Sequence, residues 1–222
     1  ALFSARLSQW ANEPALAPVA DRLAAAQQEA QVKADRAERT LRFLDEVARP
    51  RDLPFFVVKG STLAQHIYGD LTYRSFNDVD VVVPQDRVGE LEPILLDNKF
   101  YFWASPGYDL MAPPRVRRRL LKGLEPGSKA AARKLLELYH RHFTYVVQQD
   151  DPRLPLEVHW HLFTPGWGNA TAEDLWNETE EIDLCGLRVL ALKPEAALLH
   201  TAVHAMEQHP EEFKLLHLCD VV

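Results

Sequence analysis

The sequence predicts an α+β fold, with helical segments at both ends and a run of short strands between them. Three observations carry this expectation. Leu23, Ala26, Ala30, Ala34, Ala37, Leu41 and Leu44 recur at steps of three and four, the spacing of one helix face. The middle of the chain is a series of short β-branched and aromatic stretches separated by turn residues. From Pro194 onward, a proline in the first turn opens a second helical stretch carrying Ala197, Leu198, Thr201 and Ala202.

The bulk properties bound the function classes. With 222 residues, 47% of them hydrophobic and 26% charged, the chain is long and apolar enough for a substantial core, which sets aside disordered and fibrous classes. Apolar runs fall well short of the ~18 residues a membrane span needs, so no transmembrane helix is expected. The opening ALFSARLSQWANE lacks the charged start, apolar centre and cleavage site of a signal peptide, and with no initial Met a trimmed chain is expected. Cys185 and Cys219 are too few for a disulfide framework or thiolate zinc site, which points to two buried thiols and a cytoplasmic setting. A net charge of −7 argues against a protein whose main partner is duplex nucleic acid.

Taken in order, Pro14 and Pro18 are expected to separate a short helix from a long one running from about Asp21, its N-cap, to Ala48, before Pro50. This region shows no chemistry and is read as a lid or support. Phe55 to Val58 then reads as a strand entering Lys59-Gly60-Ser61, where glycine allows a tight turn and a helix begins. Leu63, Ala64, Ile67 and Tyr68 give that helix an apolar face, and Gly69 stops it. Asp78 to Val83 is a buried strand whose acids, Asp78 and Asp80, share one face by the period of two. Arg87 to Asn98 resumes helical spacing, with Pro93 expected to divide it.

Phe100 to Trp103 is strand-like, and Gly107, Pro113 and Pro114 mark a loop. Arg115 to Lys134 is the most basic segment, and Gly123 to Ser128 within it is expected to be a mobile loop. Its plain reading is a solvated helix face; the functional one is contact with a triphosphate or an RNA backbone. Phe143 to Val147 and Leu156 to His161 are two further strands around the turn at Asp150-Asp151-Pro152. In the second, Leu156, Val158 and Trp160 should face the core while Glu157, His159 and His161 share the other surface. Ile182 to Leu190 reads as a hairpin. The helix from Phe213 to Val222 ends uncapped, so the natural chain is expected to continue.

If the strand of Asp78 and Asp80 neighbours that of Glu157, three carboxylates meet beside the helix start at Gly60-Ser61. Adjacent acids are costly without a cation, and this set suits one or two Mg²⁺ ions against a triphosphate. Lys59 and Arg74 would then neutralise phosphate oxygens, and no covalent nucleophile is needed. The plainer readings are an exposed strand edge for the aspartates, a surface position for Glu157, a helix cap for Ser61 and structural roles for His159 and His161. His200 and His204 have the i, i+4 spacing of zinc ligands, but the rest of a zinc motif is missing.

Lys59-Gly60-Ser61, then Leu63, Tyr68, Arg74 and Asp78-x-Asp80, followed by Glu157-Val158-His159-Trp160, resembles the uncharacterised nucleotidyltransferase family of the DNA polymerase beta-like superfamily. The likeness extends over nearly the whole chain. It implies a nucleotidyltransferase-like mixed sheet flanked by helices, with Asp78, Asp80 and Glu157 as catalytic metal ligands and Lys59, Gly60, Ser61 and Arg74 holding the nucleotide. Residues 1–50 would form an N-terminal helical segment, 51–192 the core with a basic helical insertion near 113–140, and 193–222 a C-terminal helical segment. The expected activity is Mg²⁺-dependent transfer of a nucleoside monophosphate from an NTP to an acceptor hydroxyl. A small molecule or protein is favoured as acceptor over RNA; the alternative is an inactive nucleotide-binding or accessory module of the same fold.

Overall fold

The computed structural model describes residues 17–105, 107–140, 142–163 and 172–208. The expected first short helix, the helix from Phe213 and Cys219 lie outside these residues. Seven strands are described: β1 Phe56–Val58, β2 Val79–Val82, β3 Tyr101–Trp103, β4 His142–Val146, β5 Leu156–His159, β6 Thr179–Leu184 and β7 Leu187–Leu192. They form one mixed sheet in the order β3-β4-β5-β2-β1-β7-β6. β2 runs parallel to β5 and β1 parallel to β7, while the remaining neighbours are antiparallel.

Both faces of the sheet's centre are covered, and the period of two divides them. Val57, Val79, Val81, Phe143 and Val158 point to the larger apolar cluster. The long helix α1, Ala17–Ala48, closes that cluster with Ala37, Leu41, Leu44 and Ala48, all fully buried. It begins before Asp21, because Pro18 falls in the first turn, where no backbone donor is required. Phe56, Val58 and Val82 point the other way, toward Leu175 and Trp176 of α6, Ala172–Asn177, and Ala196, Ala197 and Val203 of α7, Pro194–Gln208. α1 is therefore a support behind the sheet, not a lid. Among the described residues no helix is long and apolar enough to cross a membrane.

The connections carry some surprises. After β1, the helix α2, Gly60–Leu63, widens into a π-type stretch, Ala64–Tyr68, ended by Gly69 in the left-handed conformation. The helix α3, Val88–Asp97, is continuous through Pro93, against the expectation of two pieces. Its missing N–H leaves unpaired only the carbonyl of Gly89, which is exposed and can turn to water. The basic segment folds as α4, Pro114–Leu120, and α5, Lys129–Leu135, around Ala112, Leu121, Ala131 and Leu135. Gly123 to Ser128, expected to be mobile, is tied at its C-terminal end: the Asp109 carboxylate accepts from the Gly127 N–H, and Ser128 caps α5 by accepting from the Ala131 N–H.

The turn into β5 is fastened to α1 from behind. The Arg36 guanidinium donates to the carbonyls of Asp151 and Arg153, and the fully buried Thr40 hydroxyl accepts from the Leu154 N–H at 2.8 Å. Arg153 pairs with Asp151 and lies over the rings of Phe43 and Phe100. This anchorage fixes where β5 starts. Thr40→Val keeps the side-chain shape but leaves the Leu154 N–H without its acceptor, and a loss of about 1–3 kcal/mol is expected in urea denaturation.

Candidate active site

β1 runs into Lys59, whose backbone adopts φ 59° and ψ −126°, a region L-residues rarely enter. This turn brings its side chain back over the sheet. Gly60 follows because nothing larger fits: a Cβ there would lie 2.6 Å from Phe76 Cβ. The close approach of α2 to the Arg74–Asp78 segment thus depends on glycine as backbone, whatever else the loop binds.

The register of β2 and β5 sets Asp80 directly opposite Glu157 and Val82 opposite His159. On the far side of β5, Thr144 of β4 stands opposite Glu157 and His142 opposite His159. A polar row, Thr144–Glu157–Asp80, therefore crosses three strands on the face away from α1. The Lys59 ammonium caps it, with Nζ 2.6 Å from Asp80 Oδ1 and 3.4 Å from both Glu157 Oε2 and His159 Nε2. His159 Nε2 is 3.0 Å from Asp80 Oδ1, its ring lies beside that of His142, and the Thr144 hydroxyl donates to Glu157 Oε1 at 3.3 Å.

These contacts set the charge states. Burial disfavours the Lys59 charge, but Asp80 and Glu157 outweigh it and hold the ammonium protonated, its pKa raised. Burial likewise opposes the Glu157 carboxylate, yet Lys59 and His159 hold it well below the usual range. His159 is resisted by burial and by Lys59, and its bonds to Asp80 and Glu157 raise its pKa nonetheless. Asp78 lacks such close partners: burial first, then the charges of Asp80 and Glu157, push its carboxyl up to about 7.

Above this row opens a cleft of about 460 Å³. Lys59, Gly60, Arg74, Asp78, Asp80 and Glu157 line one part, and Trp103, Tyr108 and Phe163 line another. α7 adds His200, Thr201 and His204. His200 is buried and neutral, its pKa driven well down by burial, then by Lys59 and His204. Ser61, by contrast, does not line the cleft. It is 1% exposed, makes no cap to α2, and its Oγ has no partner among the described residues. Nor does any Arg or Lys between Arg115 and Lys134 reach the cleft. Arg133 instead makes a two-pronged pair with Glu92 and stacks on Phe102 and Phe143, and Lys134 pairs with Glu137.

The profile of the uncharacterised nucleotidyltransferase family matches residues 1–222. The chain belongs to that family. As a nucleotidyltransferase it is an enzyme that transfers nucleoside monophosphate groups, and solved structures agree with its fold. The lincomycin-bound lincosamide antibiotic adenylyltransferase LnuA superposes with a TM-score of 0.51 at 11% identity, over 84% of this chain and 95% of its own. ANT(2")-Ia in complex with adenylyl-2"-tobramycin gives 0.50 at 17% identity, over 82% and 84%. No curated protein matches the sequence significantly.

Lys59, Gly60, Arg74, Asp78, Asp80 and Glu157, singled out from the sequence, all line this nucleotidyltransferase's cleft, and so do His142, Thr144, Trp103 and Tyr108, which were not. His142 and Thr144 were within reach, since they alternate with Phe143 and Tyr145 as the polar positions do on β5. Asp80, Glu157 and His159 offer ligand atoms within 4.8 Å of one another, a set compact enough for a metal ion.

Two outcomes are expected from this geometry. Gly60→Ala forces Phe76 and its loop outward and should cost about 1–3 kcal/mol, seen as a lowered Tm. For Asp78, the folded state holds its proton more tightly than the unfolded chain. The stabilisation this gives is complete below the ordinary carboxylate range and is lost as pH rises toward about 7. With EDTA present, the stability of wild type relative to Asp78→Asn should therefore fall by roughly 1–3 kcal/mol between about pH 4 and about pH 8, allowing for screening at a partly exposed carboxyl. A pH-independent difference in denaturation curves would contradict this.

Proposed function

We propose that this enzyme is a Mg²⁺-dependent nucleotidyltransferase that moves a nucleoside monophosphate from an NTP to a hydroxyl of a small-molecule acceptor. The observation that carries the reading is the β2–β5 register, which sets Asp80 against Glu157 with Asp78 two residues before it on the cleft side. The donors suit a hard divalent ion: Asp80 and Glu157 offer carboxylate oxygens that lie, with a nitrogen of His159, within 4.8 Å of one another, and Asp78 lines the same cleft. Asp78, Asp80 and Glu157 would hold Mg²⁺, which when bound polarises the α-phosphate and neutralises charge on the departing pyrophosphate.

The chain's own groups do the rest. Arg74 lines the cleft beside Gly60, where its guanidinium can take phosphate oxygens. His159 fixes Asp80 through its 3.0 Å contact, so that one carboxylate oxygen keeps its orientation before any ligand arrives. Trp103, Tyr108 and Phe163 supply flat apolar walls on which a base or a ring of the acceptor can lie. The acceptor oxygen forms its bond to the α-phosphorus as the bond to pyrophosphate breaks, and the hydroxyl proton leaves to a carboxylate facing the cleft or to water.

A small acceptor is favoured by the cleft's modest volume and by the basic segment's use of Arg133 and Lys134 in ion pairs outside it. It accords with the acceptors named for the similar folds, lincomycin and tobramycin, without singling out an antibiotic here. A cytoplasmic setting, which supplies both NTP and Mg²⁺, goes with this reading. The test is release of pyrophosphate from a panel of NTPs with Mg²⁺ and pooled hydroxyl-bearing metabolites. Asp80→Asn is expected to lower the rate by roughly 10²-fold or more, since it removes a charged ligand. Activity equal to wild type would remove Asp80 from the chemistry.

A further inference from the structure

The ammonium of Lys59 stands where a cation is wanted. Its contacts are the same three groups, Asp80, Glu157 and His159, whose ligand atoms cluster closely enough for a metal. Reaching that point requires a backbone with φ 59° and ψ −126°. Such a conformation is costly for a non-glycine residue and persists only where its surroundings hold it. Glycine would sit there without strain, so what the lysine adds at this turn is its side chain and that side chain's contacts.

The charge balance points the same way. Asp78, Asp80 and Glu157 carry three negative charges when ionised. Lys59 supplies one positive charge in direct contact with Asp80 and Glu157, so it already balances part of the charge that a second divalent ion on those carboxylates would otherwise meet. Sites of this chemistry take one or two metal ions. A lysine fixed among the ligands occupies the room and the charge of one of them.

We infer that Lys59 is a built-in cation that replaces one divalent ion, so that the nucleotide-loaded site holds a single metal. The inference rests on the metal-dependent reading above and adds the role of Lys59 to it. In this arrangement Lys59 is a positioning residue: it sets the spacing of Asp80 and Glu157 and limits the number of ions they share. Removing it opens a second metal position on the same carboxylates.

Mn²⁺ serves as the probe, counted by electron paramagnetic resonance with saturating α,β-methylene ATP, or α,β-methylene GTP if the adenine analogue does not bind. Wild type should bind one Mn²⁺ per chain beyond the nucleotide-only control and give the signal of an isolated ion. Lys59→Gly, chosen because glycine relaxes the turn, should bind two, with the second at least tenfold tighter than any second ion in wild type and with the spectrum of a spin-coupled pair. Lys59→Met repeats the test with the side-chain stem retained. Two coupled ions in wild type would overturn the inference while leaving the metal-dependent reading standing, and this arm needs no variant to fold. One ion in wild type and in both variants would overturn it equally. Wild type binding no Mn²⁺ with either analogue would overturn the metal-dependent reading itself, and this inference with it.

Discussion

Two carboxylates held side by side on one face of a sheet, Asp80 on β2 and Glu157 on β5, are the constraint from which the rest of the architecture follows. Like charges at a register pair repel, and their partial burial strengthens the repulsion. The molecule tolerates this because the opposite faces of the same strands, through Val79, Val81 and Val158, belong to the largest apolar cluster, closed by a thirty-two-residue helix. The apolar side fixes the register, and the polar side inherits it. A slip of one residue would send Asp80 into the core, so the hydrophobic pattern guards the site as effectively as it stabilises the fold.

The second layer of organisation is electrostatic and local. Lys59 and His159 share the two acids closely, while Asp78 at the margin is left with the residual repulsion. That inequality separates two inner carboxylates in close contact with cations from an outer one whose pKa burial, then the charges of Asp80 and Glu157, push up to about 7. His200 extends the pattern from α7, since its neutral ring adds no further positive charge near Lys59. The strained turn at Lys59 and the close contact of Gly60 with Phe76 belong to one device, a sharp exit from β1 that delivers a side chain and a bare backbone to adjacent points.

Much of this was legible in the sequence, for definite reasons. The alternation in Leu156 to His161 announced which side chains would share a surface, and Asp78-x-Asp80 announced a paired face, because side-chain period is a property of the strand alone. Which strands would be neighbours is not, so the meeting of Asp80 with Glu157 had to be supposed. Ser61 was ambiguous because a small hydroxyl residue at a helix start reads the same whether it faces a ligand or the interior. Pro93 was overweighted because its cost depends on where the helix begins, and one missing bond to an exposed carbonyl is mild. The run from Arg115 to Lys134 looked like one basic surface, yet Arg133 is drawn onto Phe102 and Phe143 by packing no local pattern encodes.

The place of β7 in the sheet has a consequence for how the protein comes into being. Phe56 pairs with Leu190, so β1, the strand that delivers Lys59 and Gly60, keeps one open edge until nearly all of the described chain has left the ribosome. Pairings between such distant segments form slowly, because a long loop must close before any bond rewards it. During that interval an apolar strand, Phe56–Val58, lies available to foreign partners. Arrival of the β6–β7 hairpin is thus the late step that both completes the sheet and shields the strand leading into the cleft.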